Sequence, residues 1–445
     1  MKKRLAGWGN YPVIDSKEDS FVFKDQLDTL LQNKQSFIPR GNGRSYGDSS
    51  LADNAICTLK YDNILSFDVT NGIFECQPGI TLQQVLQVIV PQGWFLQVTP
   101  GTQLITIGGA VASNVHGKNH KADGSFSKHI IDMDVVLASG STLTCSAVQN
   151  ADLFEATCGG MGLTGLISRV KFSLKKIETA FMRQKQVKAE NFDELFNLFE
   201  KYKDFTYAVV WVDCLKKGKN FGRSILTVGE HAVLADLNEN QRKAPLQLSA
   251  KKSINFPFSL PSWVLNTFTV KAFNFLFYTK NFNKEIDAIV SYEPFFYPLD
   301  AILNWNRMYG KNGFVQYQFV MPLQAKQGLV EIMNRLSEKG LGSFLTVLKV
   351  LGKQESMISF CREGYTLALD FPLKNGILEF LDELDEIVLK YGGRLYITKD
   401  ARMKQGMLAG YPELEKFKTI IKKYDPDSRL RSLQSDRLLL TPHTN

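Results

Sequence analysis

At 445 residues the chain exceeds what one compact core carries, because single domains run to about 100–200 residues, so two or three folding units are expected. Apolar residues make up 44% and charged residues 22%, with 31 Phe and 15 Tyr, which supplies a packed core and excludes disorder as the main state. The net charge of +8, from 53 basic and 45 acidic residues, permits an anionic ligand or an anionic membrane surface, while the lack of zinc-finger, basic-zipper or RNA-binding signatures sets nucleic acid aside.

Up to about residue 170, short β-type runs alternate with turns at 36–39, 55–60, 64–69, 73–77, 105–111, 131–138 and 165–172. Helical signals are few there. Thr81 caps a stretch whose Leu82, Val85, Leu86 and Ile89 recur at helical spacing, and 152–157 predicts a second short helix. Strands joined by glycine-rich loops with occasional helices predict an α+β domain. Beyond residue 175, amphipathic helices are expected at 192–203, 329–339 and 377–391, the last stopped by Gly392-Gly393. Strand-like runs at 205–213, 314–321, 343–350 and 365–371 predict an antiparallel sheet covered on one face by those helices. The chain thus divides into 1–178, 179–393 and 394–445, with the last part packing back on the first. No stretch of about 18 apolar residues occurs and no apolar run follows the initial Met-Lys-Lys-Arg-Leu, so neither a spanning helix nor a signal peptide is expected. The six cysteines, Cys57, Cys76, Cys145, Cys158, Cys214 and Cys361, form no C-x-x-C pair and read as reduced thiols of a cytoplasmic protein.

Three glycine clusters carry the first chemical signal. They are Arg40-Gly41-Asn42-Gly43-Arg44-Ser45-Tyr46-Gly47-Asp48, Pro100-Gly101-Thr102 with Gly108-Gly109 and Ser113-Asn114 behind it, and Gly160-Met161-Gly162-Leu163-Thr164-Gly165. Residues without Cβ let main-chain N–H groups close around phosphate oxygens, and three such loops suit a long ligand such as a dinucleotide. Neither a Rossmann fingerprint nor a P-loop is present, because no apolar helix follows Gly47 and no Gly-Lys-Ser/Thr occurs. His116, His120 and His129 fall close together, but no Cys or acidic ligand joins them and Gly117 breaks any helix, so no metal is expected. His116, beside Gly117, Lys118 and Asn119, is the candidate for an active-site role. Strand periodicity at 314–321 places Gln316 and Gln318 on one face, and Lys349 stands where a strand would otherwise hold a hydrophobe; these could bind hydroxyls and an anion or form a solvated face. Lys399, at the end of an apolar strand, is either a surface residue or a cation that offsets cofactor charge. The aromatic stretch 256–278, with Lys251, Lys252, Lys271 and Lys280 interspersed, is either core or an interfacial element for a polyprenyl tail at an anionic membrane.

These motifs together resemble the FAD domain of the vanillyl-alcohol oxidase (PCMH) type flavoproteins. More narrowly, the chain resembles the decaprenylphosphoryl-ribose oxidase family, through Gly7-Trp8-Gly9, Pro298-Leu299-Asp300, Trp305-Asn306-Arg307, 313–320, Asp370-Phe371-Pro372 and 392–396. The resemblance implies an FAD-binding fold built from 1–178 and 394–445, with 179–393 as an inserted substrate-binding domain. It implies an FAD-dependent oxidoreductase that converts a secondary hydroxyl of a polyprenylphosphoryl-ribose to a 2-keto sugar, the first half of an epimerisation in arabinan precursor synthesis for the cell wall. A soluble sugar, alditol or aldonolactone oxidase using oxygen is the alternative. The implied partners are the lipid-linked sugar phosphate, a short-chain dehydrogenase/reductase and, peripherally, an anionic membrane.

For the cofactor, the resemblance implies Arg40, Gly41, Asn42, Gly43, Arg44, Ser45, Tyr46, Pro100, Gly101, Thr102, Gly108, Gly109, Ser113, Asn114, His116, Gly117, Asn119, Gly162, Gly165, Tyr396 and Lys399. Several relatives carry covalent flavin on a histidine at the Arg44 position, so non-covalent FAD is expected here. The expected catalytic set is Lys399, His116, Tyr46, Gln318 and Lys349, with Lys399 in the electrostatic or proton-handling role and His116 second for the base. Substrate binding is expected of Lys118, Phe296, Gln316, Gln318, Lys349, Thr366 and Ala368. Ala368 replaces a cysteine of the mycobacterial members, Phe296 a tyrosine and Thr366 an asparagine.

Overall fold

The computed structural model describes residues 2–248, 253–261, 263–280, 282–354 and 356–441. Near its start, Val13–Ser20 pairs antiparallel with Lys3–Ala6 and parallel with Asn54–Cys57, which runs parallel to Ile38–Arg40. The first glycine cluster leaves the C-terminal end of Ile38–Arg40, the edge at which parallel strands commonly present a ligand-binding crevice. A second sheet has the order Ile64–Asp68, Ile73–Cys76, Leu166–Lys176, Ile130–Val136, Thr142–Cys145, with Trp94–Leu96 also paired to Leu166–Lys176.

Helix Leu82–Ile89 follows its spacing: Thr81 accepts from the Gln84 N–H, and Leu82, Val85, Leu86 and Ile89 are all buried. The strand expected at 105–111 is instead the helix Ile107–Ala112. Its cap decides the matter, because Thr106 Oγ1 accepts from the Gly109 N–H at 3.1 Å and starts a helical turn where alternating isoleucines suggested extended chain.

A third sheet has eight strands, every neighbouring pair antiparallel, in the order Glu285–Ser291, Phe181–Ala189, Ser224–His231, Tyr207–Val212, Val347–Leu351, Gly364–Pro372, Phe314–Met321, Arg394–Leu395. Helices Phe192–Lys201, Lys326–Lys339 and Ile377–Lys390 cover one face, where Leu195, Ile332, Leu336, Leu384 and Val388 pack with Val210, Leu226, Phe319 and Leu348 in one cluster. The other face turns toward the first part of the chain. Strand Phe181–Ala189 escaped the sequence reading because its middle, Arg183 to Gln186, is polar and only half covered on both sides.

From Leu414 onward the chain returns to the first two sheets. Phe37 pairs with Leu430, the Leu433 N–H donates to the Leu51 carbonyl at 2.8 Å, Lys423 bonds Asp152 at 2.6 Å, and Arg437 joins Asp48 to Asp400. All six cysteines are buried free thiols. Among the described residues no helix is long and apolar enough to cross a membrane.

Helix Thr267–Thr279, capped by Asn266, presents most of its aromatic surface outward. Val270 and Asn274 face in, while Phe268 is 78%, Phe275 56% and Leu276 65% exposed, next to Trp263 at 73%. Most of this segment is therefore not core; Lys251 and Lys252 lie outside the described residues.

Candidate active site

One cavity joins the glycine loops to the open face of the eight-stranded sheet. Its first wall is main chain. Arg40 to Tyr46, Pro100 to Thr102, Gly108, Gly109, Ser113, His116, Gly162 and Gly165 all border it. The approach is close: a Cβ on Gly41 would stand 2.4 Å from Thr106 Oγ1, and Gly43 has φ +59° with the Arg40 guanidinium filling the place of a side chain. The second wall is side chain. Gln316, Gln318, Lys349 and Ala368 project from three adjacent strands, and Tyr396 and Lys399 close the end from the segment after Arg394–Leu395.

Other expected residues lie outside this wall. Asn114 is turned inward, donating to Ser359 Oγ at 2.9 Å and accepting from the Ser127 N–H. Asn119 is committed to the Gln97 carbonyl and Asp123, and Gly117 packs beside it. Lys118 donates to the Phe295 carbonyl and sits 4.6 Å from that ring's centre. Phe296, 1% exposed, is stacked on Phe95 in the apolar core of the first part of the chain, since a phenyl ring lacks the hydroxyl that would draw it to a polar cavity. Thr366 stands behind Gln318 and bonds its amide at 3.2 Å. His120 accepts from the Gly352 N–H and His129 meets the Asp123 carbonyl, so the three histidines do not converge.

The sequence reading also missed contributors. Trp8 lies under the Arg44 guanidinium at 4.0 Å and meets Trp305 edge-on. Asp300, which borders the cavity, holds the 100–109 segment, accepting from Thr102 Oγ1 at 2.7 Å and from the Gln103 N–H at 2.8 Å. Both belong to short blocks, Gly-Trp-Gly and Pro-Leu-Asp, that carried the family resemblance, but no spacing rule assigned them a place.

Burial dominates the electrostatics. Lys399, with its Nζ 3.9 Å from the centre of the Tyr46 ring, is pulled down to about 7 by burial, against the pull of Asp370 and with that of Lys349. Lys349 is lowered to about 8 by burial and lies 3.4 Å from His116 Nδ1. His116 falls well below its ordinary value through burial and the Lys349 charge, so its ring is neutral and Nδ1 is free to accept from Lys349. The Gln318 amide meets His116 Nε2 at 3.3 Å, fixing the ring from the other side. Tyr46 is pushed well up by burial and by Asp370, and Asp370 itself rises to about 7 through burial. Two buried lysines, Lys349 and Lys399, thus act on one another, and Asp370 is the carboxylate that faces Lys399. Such a field favours an anion in the cavity.

Main-chain loops without Cβ on one side and cations short of counter-charge on the other fit a flavin dinucleotide: Gly41 to Tyr46 and Pro100 to Thr102 would meet it with N–H groups, and Lys399 would face its redox end. Similarities to known proteins agree. Residues 24–146 match the family described as FAD binding domain. The chain is 33% identical over 450 aligned positions to decaprenylphosphoryl-β-D-ribose oxidase of Mycolicibacterium smegmatis, covering 98% of each. It is 28% identical over 369 positions to an uncharacterized protein in the mprA 5′ region of Streptomyces coelicolor, covering 81% of this chain and all of that one. Among solved structures, a variant of Physcomitrella patens BBE-like 1 superposes with TM-score 0.65 at 15% identity, covering 93% of this chain and 89% of that one, which shows a shared fold.

Proposed function

The chain belongs to the decaprenylphosphoryl-β-D-ribose oxidase family of FAD-dependent oxidoreductases, and on that premise we propose that it oxidises a secondary hydroxyl of a polyprenylphosphoryl-ribose to the 2-keto sugar. The observation that carries this reading is the side-chain wall: Gln316, Gln318, Lys349 and Lys399 face the glycine loops across one cavity. Carboxamides suit sugar hydroxyls, and lysine suits a phosphate.

Oxidation of an alcohol removes two electrons and two protons from the carbinol. Bound FAD supplies the electron acceptor. Lys399, whose ammonium group is balanced near neutrality, can hold or give up a proton beside Tyr46 and offset negative charge at the same place. His116 is kept neutral and oriented by Lys349 and Gln318 and is second in line as base. Lys349 and the two glutamines orient the ribose and its phosphate. Residues 1–178 and 394–445 serve the cofactor in this reading and 179–393 the substrate. FAD is held without a covalent bond because Arg44 offers no nucleophilic nitrogen; acid precipitation should leave flavin in the supernatant, and flavin in the pellet contradicts this.

The polyprenyl chain leaves through the aromatic segment. Beneath helix Thr267–Thr279 lies a cavity of about 460 Å³, lined in part by Leu265, Val270, Leu341, Phe344, Ile377 and Phe380, and its neighbour Leu345 lines the reaction cavity. Outward Phe268, Phe275 and Leu276, with Lys271 and Lys280 beside them, suit a peripheral site on an anionic membrane. The keto product requires a reductase of the short-chain type to complete an epimerisation toward the arabinose form, the arabinan precursor of a cell wall. Anaerobic reduction of the bound flavin tests the reading. A polyprenylphosphoryl-ribose should bleach it far faster than free ribose, alditols or aldonolactones; the opposite order supports a soluble sugar oxidase.

A further inference from the structure

Gln316 and Gln318 occupy the same face of strand Phe314–Met321, two residues apart, yet they are held differently. The amide of Gln318 meets an imidazole nitrogen and a hydroxyl, His116 Nε2 at 3.3 Å and Thr366 Oγ1 at 3.2 Å. Both partners can give or take a proton, so the edge that Gln318 turns to the cavity follows the proton on His116. Gln316 has no such freedom. Its Nε2 donates to Asp370 Oδ1 at 2.6 Å, and an ionised carboxylate only accepts.

Asp370, once ionised, is placed to accept. It is directly opposite Gln316 in the strand register and fully buried. Tyr309 donates its hydroxyl to Oδ2 at 3.4 Å, the Asp370 N–H is taken by Ser343 Oγ at 3.0 Å, and Lys399 is the cation that faces the carboxylate. Tyr309 is itself fixed, stacked on Phe314 at 4.2 Å. Asp370 does not border the reaction cavity, whereas Gln316 does. The Gln316 nitrogen is committed to Asp370 and its side chain also meets the Tyr46 hydroxyl, which leaves the carbonyl oxygen as the group that can accept.

We infer that Asp370 is a positioning residue that locks the Gln316 carboxamide so that its oxygen faces the cavity as a fixed acceptor for one substrate hydroxyl. Gln316 then recognises an O–H donor at a single place on the sugar, while the edge that Gln318 presents is set by the tautomer of His116. The lock selects for a hydroxyl there against a deoxy or methoxy group, because either substitution leaves the acceptor unpaired in a buried site.

This inference rests on the ribose reading, and its test separates the two. FAD-loaded wild type, Asp370→Asn, Gln316→Glu and the double variant Asp370→Asn with Gln316→Glu are compared at about pH 8, where Asp370 is ionised. The substrates are polyprenylphosphoryl-ribose and analogues each lacking one ribose hydroxyl other than the one oxidised. For one analogue wild type should lose about tenfold or more in kcat/KM, and Asp370→Asn should shrink that loss to about threefold or less while raising KM for the full substrate about tenfold. Gln316→Glu alone sets two carboxylates together and should lose both flavin reduction and melting temperature. In the double variant the new asparagine amide donates to the new carboxylate, whose second oxygen faces the cavity, so discrimination and melting temperature should return. Unchanged discrimination in Asp370→Asn, or a double variant no better than Gln316→Glu, overturns the inference. If no lipid-linked ribose reduces wild-type flavin, the ribose reading fails, and recovery or not of the melting temperature in the double variant still decides the lock.

Discussion

The wall formed by 40–46, 100–109 and 162–165 meets the cavity with main chain, whereas the wall formed by the eight-stranded sheet meets it with long side chains. The first is fixed by backbone geometry and tolerates no added Cβ at Gly41. The second is fixed by hydrogen bonds and charge, with Lys349 on His116, Gln318 on Thr366 and Gln316 on Asp370. In the proposed reading a cofactor shared by many enzymes is held by groups every residue possesses, and the substrate by groups few residues possess. Loss of the cofactor and loss of the reaction should therefore separate cleanly by wall.

The largest expected effect is on the side-chain wall. Replacing Lys399 by Ala should slow flavin reduction about 10²–10³-fold while FAD stays bound, as loss of one preorganised charge partner does elsewhere; stopped-flow bleaching would show it, and near-normal reduction removes Lys399 from the mechanism. On the main-chain wall, Gly41→Val should weaken FAD binding by about 100-fold or more, with far-UV circular dichroism retained. Tight FAD in that variant would mean that the loop does not approach the cofactor.

A smaller effect concerns charge without catalysis. Burial lowers Lys399 from its ordinary 10.5 to about 7, so between those values the unfolded chain binds the extra proton and stability at this site rises with pH. In flavin-free protein Lys399→Met should therefore gain melting temperature over wild type at pH about 7 and below. The gain should vanish toward pH about 10, and sooner because Asp370 loses its cation. A pH-independent difference contradicts the buried charge. The smallest effect lies outside both walls. Serine at Phe268, Phe275 and Leu276 together should reduce flotation with anionic liposomes yet leave flavin reduction by a short-chain substrate within about twofold. Unaltered flotation counts against the membrane-facing role.

The two walls also differ in how far the sequence discloses them. The glycine clusters are local signals, and all three reach the cavity, as do Gln316, Gln318 and Lys349 from strand periodicity. Asp300, Trp8 and Asp370 act across long separations in the chain, and no spacing announces them. Lys118, Asn119 and Phe296 sit beside functional positions in sequence but are drawn away by stronger local partners: a carbonyl, a carboxylate and a stack of phenyl rings. The helix at Ile107–Ala112 was hidden for a related reason, since one threonine cap outweighed the β propensity of its isoleucines. Strand Phe181–Ala189 was hidden by polarity that only its half-exposed position explains.

The most direct measurement is a single anaerobic turnover with polyprenylphosphoryl-ribose carrying deuterium at C2 of the sugar. Flavin bleaching should be slowed by the deuterium, should yield the 2-keto sugar, and should exceed bleaching by free ribose. Bleaching that is absent, or insensitive both to the deuterium and to the lipid phosphate, would contradict the account.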